Sequence, residues 1–157
     1  MAEEKRIPVE KVLADYEMLR TQAEALGQNL ELVNQHISEF KRTLESLSEI
    51  EKLGEGNEIL VPVGVGSFVK AEIKDTSSVI LSLGADVAAR KSISDAKADL
   101  EARVKELEKV REEHSSRLAE VMKNLEAIAP MVEQIISAMQ QAQLQRGGAE
   151  DVRKPQG

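Results

Sequence analysis

Apolar or small side chains recur through the first third of the chain at Val9, Val12, Tyr16, Leu19, Ala23, Leu26, Leu30, Val33, Ile37, Phe40, Leu44 and Leu47. The spacing alternates between three and four residues without a break. That is a coiled-coil seam, narrower and more regular than the apolar face of an ordinary surface helix. Pro8 suits the first helical position, where its missing N–H costs nothing. No Pro follows it within the seam, and Gly27 is the only interior Gly, at a cost of about 1 kcal/mol. The pattern predicts one long helix within residues 1–53, stopping where Gly54 and Gly56 follow Leu53. About 45 residues at a rise of about 1.5 Å each span roughly 65–70 Å, too long for a globule of 157 residues.

A second seam runs through residues 92–145: Leu100, Val104, Leu107, Arg111, His114, Leu118, Val121, Leu125, Ile128, Val132, Ile135, Met139 and Ala142. Arg111 and His114 are its polar members. The functional reading of His114 is a pH-sensitive core site; the favoured reading is a weak point or a register marker beside Arg111. Ser94 is the predicted N-cap, with Asp95 in the first turn. Pro130 removes one helical hydrogen bond and is expected to kink the helix. The stretch 146–157 is polar and without periodicity, and reads as a disordered tail.

Residues 54–91, between the seams, have a different grammar. Gly and Pro punctuate them at Pro62, Gly64, Gly66 and Gly84. Strict alternation puts Val69, Ala71 and Ile73 on one face, and then Val79, Leu81 and Leu83 on another. Asp75 and the Thr and Ser after it are turn formers. Four short strands are expected, over Glu58–Val61, over Ser67–Lys74, through Val79, Leu81 and Leu83, and near Val87–Ala89, as two hairpins in tandem. An isolated hairpin is marginal in water. Long helices cannot supply further strands, so these must come from other subunits. The fold class is therefore α+β: a long antiparallel coiled-coil hairpin with a central pair of β-hairpins. Folding back buries both seams at once and is preferred to a parallel dimer with the strands in mid-rod.

Composition narrows the function. The chain carries 28 acidic and 21 basic residues, a formal net charge of -7. Nucleic-acid backbones and anionic membrane surfaces both call for a basic face, so neither is an expected partner. Cys is absent, which excludes disulfides, thiol chemistry and Cys-based metal sites. No apolar run approaches the roughly 18 residues of a membrane span, and the beginning MAEEKRIPVE lacks the apolar core of a secretory signal. The expected location is the cytoplasm. There is no HExxH, GxGxxG or phosphate-loop motif, and Gly64-Val65-Gly66 reads as turn geometry. The carboxylates are scattered over helix surfaces, without the enclosed pair that acid–base catalysis needs. Neither an enzyme, a cofactor nor a bound metal is expected.

What remains is apolar surface at the helix ends. Val9, Val12 and Leu13 lie in the first turns of one helix, and Ile135, Ile136, Met139 and Leu144 in the last turns of the other. A folded-back hairpin brings the two sets together. An open apolar patch is a candidate protein-binding site, and Met helps it adapt to varied partners. The plainer reading is that Leu13 and Ile136 thicken the local core.

The central segment carries a more specific signal. Ile59-Leu60-Val61-Pro62-Val63-Gly64, Gly66-Ser67-Phe68-Val69, Ile73-Lys74-Asp75-Thr76 and Val79-Ile80-Leu81-Ser82-Leu83-Gly84-Ala85, framed by two coiled-coil helices, resemble the α-class subunit of prefoldin, most of all the archaeal form. The resemblance covers about residues 5 to 145. It implies a hexamer of two α-class and four β-class subunits, whose hairpins close into a β-barrel body. It implies coiled coils whose distal tips capture unfolded proteins without ATP and pass them to a group II chaperonin. Carried onto this chain, Val61, Val69, Ile73, Val79, Leu81 and Leu83 become assembly residues. Val9, Val12, Leu13, Ile135, Ile136, Met139 and Leu144 become client-binding residues. The rival reading is a structural or tethering coiled coil with no client role.

Overall fold

The computed structural model describes residues 8–151, without the side chains of Leu83 and of residues 149–151. In chain order come α1 (Val9–Leu53), β1 (Glu58–Gly64), β2 (Ser67–Glu72), β3 (Ser78–Gly84), β4 (Val87–Ser92) and α2 (Ile93–Asp151). The chain divides into two compact units. One combines the chain up to Leu30 with the chain from Glu113 onward; the other is Glu31–Glu112. Among the described residues no helix is long and apolar enough to cross a membrane.

The helix ends follow from local chemistry. The carbonyl of Pro8 accepts from the N–H groups of Lys11 and Val12 at 2.9 and 3.2 Å. Pro8 is thus the residue just before the helix, one position earlier than expected. Glu10 in the first turn and Lys52 in the last complement the helix dipole. Gly54 closes α1 at φ 76°, the left-handed conformation that a glycine adopts cheaply, and its N–H reaches the Ile50 carbonyl at 3.1 Å. At the start of α2 the cap is Ser92, not Ser94. The Ser92 hydroxyl accepts from the Asp95 N–H at 3.1 Å. The chain is still extended at Ser92, the backbone state a capping residue needs, whereas Ser94 is already inside the helix. α2 runs through Pro130 without interruption to Asp151, the last described residue. The expected disordered tail is therefore helical over 146–151, and residues 152–157 lie outside the described residues.

In the Glu31–Glu112 unit the two helices are antiparallel. Lys41 of α1 pairs with Glu108 of α2 at 3.2 Å, and Glu51 of α1 pairs with Lys97 of α2. As position rises on one helix it falls on the other. Leu47, Ile93, Ala96 and Leu100 form the core here, with Phe40, Leu44, Val79 and Leu81 packed against it. Ile37 and Val104, both seam positions, are buried as well. The core is aliphatic apart from Phe40, as a chain with 2 % aromatics requires.

The strands form two separate two-stranded antiparallel sheets, β1–β2 and β3–β4. In the first, Ile59 faces Ala71 and Val61 faces Val69; in the second, Val79 faces Lys91 and Leu81 faces Ala89. Both hairpins close through two residues. Gly66 takes φ 68° in the first, while Ala85 and Asp86 take 51° and 59° in the second. Positive φ at both central residues is the turn whose twist matches the strands. Ala85 bears a steric cost there that a glycine would not.

In the other unit, Val12 and Leu26 of α1 and Val121 and Val132 of α2 are buried. All four are seam positions.

Candidate functional surfaces

The hairpins present two unlike faces. The side bearing Val79 and Leu81 lies on the helix core. The opposite side pairs Leu60 with Lys70, Pro62 with Phe68 and Ile80 with Arg90, and there Leu60, Phe68 and Ile80 are exposed. Val63, Val65 and Val87, around the hairpin turns, are exposed too. Lys70 reaches Glu58 of the neighbouring strand at 3.1 Å, which keeps its charge at the margin of this apolar face. Each sheet ends after two strands, so the outer edges of β1–β4 carry backbone groups that no strand among the described residues pairs. Such edges invite further strands, and two-stranded sheets need them for independent stability.

A groove of about 460 Å³ lies where the hairpins meet the helices. Ile50, Ile59, Ile73, Val79, Ile80 and Ile93 contribute its apolar lining, and Lys74, Asp75 and Arg90 its charges. The β2–β3 connection beside it is held by Asp75. Its Oδ1 accepts from the Ser77 N–H at 2.7 Å and from the Ser77 hydroxyl at 2.5 Å, and its Oδ2 accepts from the Ser78 hydroxyl at 3.0 Å. These bonds, the Ser77 hydroxyl first, hold the Asp75 carboxyl below its ordinary value of 3.8, and the charge of Arg90 adds to them. A depressed carboxyl contributes stability that is fully present above the unfolded value and is lost as pH falls through the folded one. Asp75→Asn should therefore lower the thermal midpoint by a constant, small amount from neutrality down to about pH 5. The gap to the unsubstituted protein should narrow below pH 3.8. Thermal scans in a pH series check this, and a gap that widens in acid refutes it.

The residues singled out for assembly do not share one surface. Val61 is half-buried, Val69 is exposed and Ile73 is buried in the groove lining. Val79 and Leu81 pack against this chain's own helices. The side chain of Leu83 lies outside the described residues. Sequence reasoning passed over Leu60, Phe68 and Ile80. The signal was an apolar residue on the face whose neighbours are charged: Leu60 opposite Lys70, Ile80 opposite Arg90.

All seven helix-end residues fall in the unit that combines the two chain ends. Val9, Ile136, Met139 and Leu144 are exposed, Leu13 and Ile135 are half-buried, and Val12 is buried. Val12 is thus a core residue of the seam and not open surface. The same unit carries exposed methionines that the sequence reading did not select, Met18, Met122 and Met131. His36 is exposed, while His114 Nδ1 is buried without a hydrogen-bond partner among the described residues. No group of His, Asp and Glu among them could hold a metal ion.

A family model described as "Prefoldin subunit" matches residues 19–142, which take in both hairpins and most of both helices. The chain belongs to the prefoldin family. Prefoldin subunit alpha of Pyrococcus horikoshii is 38 % identical over 130 residues, 81 % of this chain and 86 % of that protein. Prefoldin subunit alpha of Thermococcus onnurineus is 42 % identical over 104 residues, 66 % of this chain and 71 % of that protein. The chain is an α-class prefoldin subunit. A chain in the cryo-EM structure of filamentous PFD from Methanocaldococcus jannaschii shares the fold, with a TM-score of 0.64 at 24 % identity over 74 % of this chain and 97 % of that one. The function is that of the prefoldin family, an ATP-independent chaperone that delivers proteins to a chaperonin, and not an enzyme. Of the helix-end residues, Val9, Val12, Leu13 and Leu144 lie outside the stretch that the family model matches.

Proposed function

We propose that this prefoldin subunit divides its work between its two units. The Glu31–Glu112 unit assembles with β-class subunits into a hexamer of two α and four β chains, through the free edges and outer faces of its hairpins. The unit made of the chain ends captures non-native proteins in the cytoplasm, for transfer to a group II chaperonin. One observation carries this reading. Apart from Leu32 and Leu53 on α1, the large exposed apolar side chains form two sets, one on the hairpins, whose outer edges are open, and one on the helices of the unit made of the chain ends.

The physics suits a holdase. A non-native protein exposes apolar side chains worth about 25 cal/mol per Å² when covered. One helix-end patch is small and binds weakly. Several patches on one assembly raise the effective concentration and turn weak contacts into useful avidity. Each contact still lets go quickly, so the protein can be handed on without a nucleotide. The net charge of -7 keeps the assembly soluble while it displays apolar surface.

Mass by light scattering tests the assembly, on this chain alone and mixed with a β-class partner from the same source. The expected species contains two copies of this chain and four of the partner. A monomer or dimer that ignores the partner overturns it. The capture reading is checked by whether the complex, without ATP, stops a chemically unfolded, unrelated protein from aggregating.

A further inference from the structure

The chain has five methionines. The four within the described residues, Met18, Met122, Met131 and Met139, all lie in the unit formed by the chain ends. They are between 40 and 61 % exposed. The Glu31–Glu112 unit, which holds the compact aliphatic core, contains none. Structural methionines fill gaps inside cores, and these four do not. Only Met139 is at a seam position, and it too is open. A thioether is unbranched, polarizable and able to lie against aromatic rings, which suits a surface that must fit many sequences.

Resting on the capture reading above, we propose that Met18, Met122 and Met131 extend the client surface beyond the helix-end residues, which already include Met139, and that oxidation of the four by a hydroperoxide switches capture off. The ligand is an unfolded segment rich in apolar and aromatic side chains. The switch is an oxygen transfer. The sulfur lone pair attacks the distal peroxide oxygen, the O–O bond breaks and an S–O bond forms, giving a sulfoxide, with water as the product when the oxidant is hydrogen peroxide. The thioether is oxidised and the peroxide reduced. The sulfoxide is polar and stiffer, so it no longer repays desolvation by an apolar client. With no Cys in the chain, the thioethers are its only sulfur groups. The reaction is reversible by methionine sulfoxide reductases.

The test uses the assembled complex. It is treated with hydrogen peroxide, freed of the oxidant, checked by mass for sulfoxides on the four residues, and then given a chemically unfolded protein. Capture should fall several-fold while light scattering shows the same assembly. Reductase treatment should restore it. A complex carrying M18L, M122L, M131L and M139L, scored against its own untreated level, should show no fall. Unchanged capture by the sulfoxide form overturns the proposal. So does disassembly on oxidation, or equal peroxide sensitivity of the four-leucine complex, which would place the effect in the partner. Absence of capture by the untreated complex would instead defeat the capture reading itself.

Discussion

Leu60→Asp together with Ile80→Asp should abolish assembly with a β-class partner while leaving the chain itself folded. Both side chains are exposed and outside the helix core cluster, Ile80 in the lining of the groove, so a carboxylate there meets water in the isolated chain. In an assembly that covers this face, each carboxylate would be desolvated without a partner. The cost is several kcal/mol for each buried unpaired charge, and about 1.4 kcal/mol is enough to shift a subunit equilibrium tenfold. Ile80→Asp also brings a carboxylate opposite Arg90, a pairing that favours the free hairpin. Circular dichroism should show undiminished helix, and light scattering should show the partner running alone. Intact hexamer in the double variant would mean that assembly does not use this face.

Val79→Asp makes the matching control, since the neighbouring residue points the other way. Val79 packs against the cluster of Leu47, Ile93, Ala96 and Leu100. A carboxylate there loses apolar contact and is partly desolvated beside aliphatic side chains, for roughly 2–4 kcal/mol. That is a large share of the stability of a domain this size. Val79→Asp should therefore lower the thermal midpoint of the chain alone, whereas the Leu60 and Ile80 changes should act only when the partner is present. Adjacent strand residues with opposite readouts follow directly from the twofold periodicity of a strand.

The seam positions were legible because a coiled coil repeats one rule many times. Val12, Leu26, Ile37, Leu47, Leu100, Val104, Val121 and Val132 all fall on it and all are buried. The two hairpins were legible from alternation and from glycines at the turns. What alternation could not decide was which face meets the helices. Val79 and Leu81 alternate on one face of β3, opposite Lys91 and Ala89, and such a row suits an intersubunit barrel and an intrachain core equally well. The structure shows that this row covers the chain's own helices. The outer row of Leu60, Phe68 and Ile80 is interrupted by Lys70 and Arg90, which hid it. The N-cap was misplaced for a local reason: Ser92 and Ser94 are chemically alike, and only the end of β4 distinguishes them. At the helix ends, the seam rule and the binding reading competed for Val12. The seam won, because a residue in phase with Leu26 is covered by the same packing.

Ile136→Ser with Met139→Ser should weaken capture of unfolded protein and leave both assembly and thermal stability in place. Both side chains are exposed in the free chain, so their removal takes little from its fold. Each loses most of an apolar contact that a bound client would complete, about 1 kcal/mol for partial burial of a large aliphatic side chain. The two changes together weaken one helix-end patch by roughly thirtyfold, since every 1.4 kcal/mol is a factor of ten. In the assembled complex the loss is compounded or diluted according to how many patches a client spans. A client that needs the α-class ends should escape and aggregate, while one held by β-class ends alone should not. Ile135→Ser is a different experiment, because Ile135 is half-buried in the seam and its loss also loosens the helix pair. Aggregation of a chemically unfolded protein, followed by light scattering at fixed complex concentration, gives the comparison. Unaltered protection by the Ile136 and Met139 variant would move client binding away from the helix ends. Loss of the hexamer in the same variant would show that these residues serve assembly, and the separation of tasks between the two units would fail.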